Sequence, residues 1–201
     1  MEWINLLSSI FGATIRMSAP LIFAALGGLF SERSGIINIA LEGKMLAGAF
    51  TAAAVTTLTQ SPFLGFLCGG LAGMVMSAIY GLFVINFKSN QIVTGTAITI
   101  LSAGCVPFIA QLLFQNTGST PEIPMDNRFI HGPIIAAWVI IGLTWVWFKY
   151  TPYGMWHKFA GEHPDALQTS GIDVIRTRWS GILFWFSSGS WRSNLVDLFI
   201  K

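Results

Sequence analysis

Asn38 and Glu42 stand four residues apart near the head of a long apolar run that extends from Ile36 to about Leu58. On a helix that spacing puts both side chains on one face, with Lys44 pointing elsewhere. If the helix begins near Ile36, Glu42 lies roughly 9 Å along it, at about 1.5 Å per residue. A carboxylate at that depth in an apolar run is costly and must face a partner or a wet cavity. Two readings follow. Glu42 is either an interfacial group, solvated or paired with Arg33 or Lys44, or one that lines a path for a polar solute.

Little else in the chain has the makings of chemistry. His131, His157 and His163 fall in loops or at their edges, without a second ligand at zinc spacing. No Gly-x-x-x-x-Gly-Lys-Ser/Thr sequence occurs, so the chain cannot bind ATP through that loop and any energy input must come from elsewhere. Cys68 and Cys105 sit inside apolar runs, where a thiol behaves as a small hydrophobe rather than a metal ligand or a disulfide partner. The net charge of +2, without a basic patch interleaved with aromatics, argues against nucleic acid. The expectation is a protein that is not an enzyme and that carries no cofactor and no metal.

Those residues must be positioned by apolar elements. Of 201 residues, 53% are hydrophobic and only 10% charged, against about a quarter charged in a soluble domain. The apolar runs are continuous and close to the roughly 20 residues that cross a bilayer, which excludes an alternating β-barrel and predicts an all-α, polytopic transmembrane helical bundle. Five elements can be drawn: about Leu6 to Phe30, Ile36 to Leu58, Phe63 to Phe87, Gln91 to Phe114 and Pro133 to Phe148. The start, Met1-Glu-Trp-Ile-Asn5, lacks the positive region of a signal peptide, so the first element is expected to remain in the mature protein. Lys88 marks one positively charged loop and Lys149, Lys158, Arg176 and Arg178 another, whereas 59–62 and 115–132 together hold one basic residue. Positive loops face the cytoplasm, so alternating elements put 31–35, Lys88 and 150–178 inside and the N-terminus and 115–132 outside. Arg16 interrupts the first element; either the span is shorter and partly re-entrant from Met17, or Arg16 faces a protein or water interior. In the third element Gly65, Gly69, Gly73, Ser77 and Gly81 recur every four residues, a small-residue face suited to close helix packing. No internal repeat is evident.

The polar island Gly161-Glu-His-Pro-Asp-Ala-Leu-Gln-Thr-Ser-Gly171 stands out from this background. Pro164 suits the first position of a helix and Gly171 the residue just past its end, which predicts about two turns over 164–170. Ala166, Leu167 and Ser170 then form a small, shallow face. Such a face either enters a groove on a partner or belongs to a connector lying on the bilayer surface.

In these segments the chain resembles the permeases of bacterial ABC importers, and more narrowly the branched-chain amino acid, simple sugar and nucleoside group. The resemblance is carried by Ala19-Pro-Leu-Ile-Phe-Ala-Ala-Leu-Gly-Gly-Leu-Phe-Ser-Glu-Arg-Ser-Gly-Ile-Ile-Asn-Ile-Ala-Leu-Glu-Gly43, by Asn90-Gln-Ile-Val-Thr-Gly95 and by the polar island through Ile172. Thr99 departs from it, standing where many relatives carry Asn. The resemblance implies a permease subunit, in the inner membrane, of an ATP-driven importer for a nucleoside or simple sugar. It implies a separate ATP-binding subunit docked at Gly161, Glu162, Pro164, Ala166 and Gly171, and a second, different permease beside this one. It also implies an extracytoplasmic substrate-binding protein, and a translocation path near Asn38, Glu42, Asn90 and Gln91.

The likeness covers about residues 10 to 183, so 1–183 reads as the permease domain, with its coupling loop at 150–178, and 184–201 as a tail foreign to it. Codons for Phe184 to Ser193 can be chosen so that a one-nucleotide shift reads Ser-Gly-Phe-Leu-Ala-Gly-Leu-Gly-Gly-Ala, similar to the helix that relatives carry there. The expectation is a frameshifted, truncated product whose tail is too polar to span. The competing reading is an inert remnant or a membrane subunit with an interaction role only.

Overall fold

The computed structural model describes residues 2–115 and 132–183. The tail at 184–201, the polar stretch at 116–131 and His131 lie outside the described residues. Among those described there is no strand, and the architecture is the all-α bundle that composition requires. Eight helices follow in order: α1 (Glu2–Arg33), α2 (Leu41–Thr59), α3 (Pro62–Gly81, continued by a π-helical turn Leu82–Asn86), α4 (Gln91–Phe114), α5 (Gly132–Tyr150), α6 (Pro152–Glu162), α7 (Pro164–Thr169) and α8 (Val174–Leu183). Three stretches, Trp3–Arg33, Pro62–Asn86 and Gln91–Phe114, are long and apolar enough to cross a bilayer, and Ile135–Tyr150 is a shorter apolar helix.

Local signals set most of these boundaries. Pro62, Pro152 and Pro164 open α3, α6 and α7 where an amide hydrogen would be unpaired anyway. Asn90 caps α4, its Oδ1 accepting the amides of Ile92 at 2.9 Å and Val93 at 3.4 Å. Thr151 caps α6 through Gly154 N–H at 3.2 Å, and Asp173 accepts from Ile175 N–H at 2.8 Å ahead of α8. α1 runs unbroken through Arg16, so a chain re-entering from Met17 is not what forms.

The bundle is built in two groups. α2 lies against α3 and α4, while α1 pairs with α5 rather than with α2. The small-residue face of α3 is buried along its length at Gly65, Gly69, Gly73, Ser77 and Gly81. At one end Gly65 lets α3 meet Thr56 and the Ala52 carbonyl of α2; at the other, a Cβ on Gly81 would stand 2.9 Å from the Trp179 ring of α8. α2 reaches α4 through a second glycine contact, since a Cβ on Gly43 would come within 2.7 Å of Thr99 Cα. On the other side Ala19 and Phe23 of α1 pack with Ala137 of α5, and Phe30 lies 4.9 Å from Phe148, ring to ring. Outward faces carry large apolar side chains such as Phe11, Leu71, Ile100, Phe108, Leu112 and Trp138, an expanse that a lipid surround covers.

The expectation of one loop over 150–178 needs revision, because the segment is almost entirely helical. α6, α7 and α8 form a compact platform across one end of the bundle, where α1, α3 and α5 end and α4 begins.

Candidate functional site

The expectation that the second element starts near Ile36 is overturned. Residues 36–38 are non-helical and α2 begins at Leu41. Asn38 and Glu42 therefore do not share a helix face: Asn38 is buried ahead of the helix, whereas Glu42 lies exposed in its first turn. The cause is local and then long-range. Gly35, at φ +85°, closes α1 in a Schellman arrangement, with Gly35 N–H on the Glu32 carbonyl at 2.9 Å and Ile36 N–H on the Ser31 carbonyl at 3.1 Å. The backbone then leaves the helix and its polar groups must find other partners. Ile37 finds both on distant side chains. Its N–H donates to Gln91 Oε1 at 2.8 Å, and its carbonyl accepts the Tyr80 hydroxyl at 2.6 Å.

Lys44, read from the sequence as pointing elsewhere, is the residue that binds Asn38. Its ammonium donates to Asn38 Oδ1 at 3.1 Å and sits 4.3 Å over the centre of the Tyr80 ring. Lys44 and Tyr80 are both fully buried, and no carboxylate lies within ion-pairing distance of Lys44 among the described residues. The four path candidates thus separate. Asn38 and Gln91 gather on the link between α1 and α2, Asn90 is the cap of α4, and Glu42 stands apart. Tyr80 and Lys44 are what the sequence reading missed. A lysine and a tyrosine inside apolar runs were the available signal, since each must satisfy a polar tip there. Thr99 spends its hydroxyl on the Gly95 carbonyl one turn back, at 3.1 Å.

The other side of the same link is gripped by the platform. A Cβ on Gly161 would lie 2.6 Å from the Arg33 carbonyl oxygen, and one on Gly35 would lie 3.0 Å from Gly161 Cα, so the two backbones touch. Gly181 of α8 packs as closely on Ser34, and the Arg178 guanidinium reaches the Ala160 carbonyl at 3.5 Å. His157, inside α6 rather than at a loop edge, donates from Nδ1 to the Tyr153 carbonyl at 2.8 Å and stands 3.1 Å from the Ser180 hydroxyl. It is a packing histidine, and among the described residues no three His, Cys, Asp or Glu side chains gather as a metal site would need.

α7 projects from this platform. Pro164 occupies its first position and Gly171, at φ +84°, ends it with a second Schellman pair, Gly171 N–H to the Gln168 carbonyl at 3.0 Å and Ile172 N–H to the Leu167 carbonyl at 3.3 Å. The helix stops at Thr169, one residue short of the expected end. Leu167 leaves the predicted outward face: it is buried and anchors the helix, while Asp165, Ala166, Gln168, Thr169 and Ser170 stay exposed. Glu162, the last residue of α6, is exposed as well.

Against this geometry, residues 10–189 match the family described as the permease component of the branched-chain amino acid transport system. The chain belongs to that family. It is a membrane protein. Its relatives include the guanosine ABC transporter permease protein NupQ of Bacillus subtilis, 34% identical over 91% of this chain and 65% of that one. They also include the nucleoside ABC transporter permease protein NupC of Lactococcus lactis, 31% identical over the same shares. The chain thus spans 65% of the length of these relatives. No solved structure matches it.

Proposed function

We propose that the chain is a multi-pass permease subunit, in the plasma membrane, of an ATP-driven importer for a nucleoside or simple sugar. The observation that carries this reading is the mounting of α7. A short helix, stopped at both ends, stands exposed on a platform whose own backbone is wedged against the end of α1 at Gly35–Gly161 and Ser34–Gly181. A helix held this way can be pushed by a soluble partner without folding back onto the bundle. The partner is an ATP-binding subunit, since the chain has no phosphate loop of its own. Names of relatives that specify guanosine or nucleosides favour the nucleoside over the sugar. A second permease and an extracytoplasmic binding protein complete the assembly, and the platform faces the cytoplasm, as its lysines and arginines favour.

The test is uptake of labelled nucleosides and sugars by cells that lack the gene and by the same cells with it restored. Restored nucleoside uptake is the expected result. Unchanged uptake of every solute in both strains refutes the reading. Topology is checked separately: a cysteine at Ala166 should resist an impermeant thiol reagent in intact cells and one at Leu58 should react.

A further inference from the structure

A buried lysine such as Lys44, with no carboxylate beside it among the described residues, is costly inside a membrane bundle, and a methionine of similar length would fill the same space without that cost. Lys44 must therefore be judged by what its ammonium holds. It holds Asn38, and it lies on the ring of Tyr80, whose hydroxyl holds the Ile37 carbonyl; Gln91 holds the Ile37 amide. Each of α2, α3 and α4 sends one side chain to residues 37–38. Two residues back along the same non-helical stretch, Gly35 meets Gly161 of α6 backbone to backbone, with no side chain between them to absorb a displacement. An extended chain covers at most about 3.5 Å per residue, so less than roughly 10 Å of backbone separates the two grips.

We propose that residues 35–38 form a transmission link between the platform and helices α2–α4, and that Lys44 is the positioning residue that keeps the link engaged. A shift of α6 carries Gly35 with it, and the fixed partners of Ile37 and Asn38 pass the shift on to three helices at once. Without Lys44 the link is still continuous but slack: Asn38 loses its partner and Tyr80 the cation over its ring. That an ATPase drives the shift rests on the function proposed above; the link itself does not.

Two experiments test it. In the first, the chain is reconstituted with its partner subunits in proteoliposomes as wild type, Lys44→Met and Tyr80→Phe, and nucleoside transport is measured alongside ATP hydrolysis. Both variants should keep hydrolysis close to the wild-type rate while transport falls about tenfold, the scale of a coupling change along a packed path. Transport and hydrolysis falling by the same factor, or neither changing, overturns the assignment of Lys44. In the second, hydrogen exchange is followed at residues 36–38 in the 201-residue chain in lipid nanodiscs. Gly161→Ala, which pushes on the Arg33 carbonyl, should speed exchange there about fivefold in the native background and hardly at all when Lys44→Met is already present, because coupled sites are not additive. Unchanged exchange in Gly161→Ala, or effects that simply add, overturns the link. Loss of all wild-type transport with the exchange coupling intact would instead refute the importer reading alone.

Discussion

Gly35 and Gly171 end α1 and α7 in the same way, at φ +85° and +84°, each with the paired amide-to-carbonyl bonds of a Schellman stop. Their surroundings differ completely. Around Gly35 a single methyl group would strike the backbone of α6, whereas around Gly171 nothing lies within 4 Å of that position. Identical local chemistry therefore serves two purposes. One glycine stops a helix so that another element can press on the bare backbone; the other stops a helix so that it ends in free space, open to a partner. What sets the role is the packing outside the turn.

The contrast can be broken by substitution. Gly35→Ala should be the most damaging change, about 3 kcal/mol from the left-handed strain of a Cβ together with overpacking against α6. A large fall in the thermal midpoint of the detergent-solubilised chain would register it. Ala166→Arg should leave that midpoint alone yet weaken capture of the ATP-binding subunit in a pull-down by more than about tenfold, because an unpaired charge is forced into the contact. Undiminished capture would mean that α7 is only a surface connector. Gly171→Ala should cost about 1 kcal/mol, the strain without the clash. Equal midpoints for Gly35→Ala and Gly171→Ala would end the comparison.

The same contrast explains what could be read in advance. α4 was legible from Gln91 to Phe114, and α7 from Pro164, because their boundaries are set by capping residues within a turn or two. Gly171 was legible for the same reason. The link between α1 and α2 was not, since Ile37 is held by Tyr80 and Gln91, 43 and 54 residues away, and no local pattern announces such partners. One local hint was there: neither Ile36 nor Ile37 can cap a helix, so a helix restarting at once after Gly35 had no cap to open it. The platform was hidden for a different reason. Its helices are short and polar, and Thr151-Pro152 and Asp173 are start signals easily passed over in a segment chosen for its charge.

Ile37 has a consequence for mutational scans. Its side chain is 55% exposed, so Ile37→Ala should change stability by less than about 0.5 kcal/mol, the scale of an ordinary surface change. A survey that replaces side chains one by one would record the position as silent. Yet both of its main-chain polar groups are tied to other helices, and it is the chemistry of the peptide unit that the bundle reads there. Proline at 37, which deletes the amide hydrogen, or an ester in place of the amide, would reveal a site to which alanine substitution is blind.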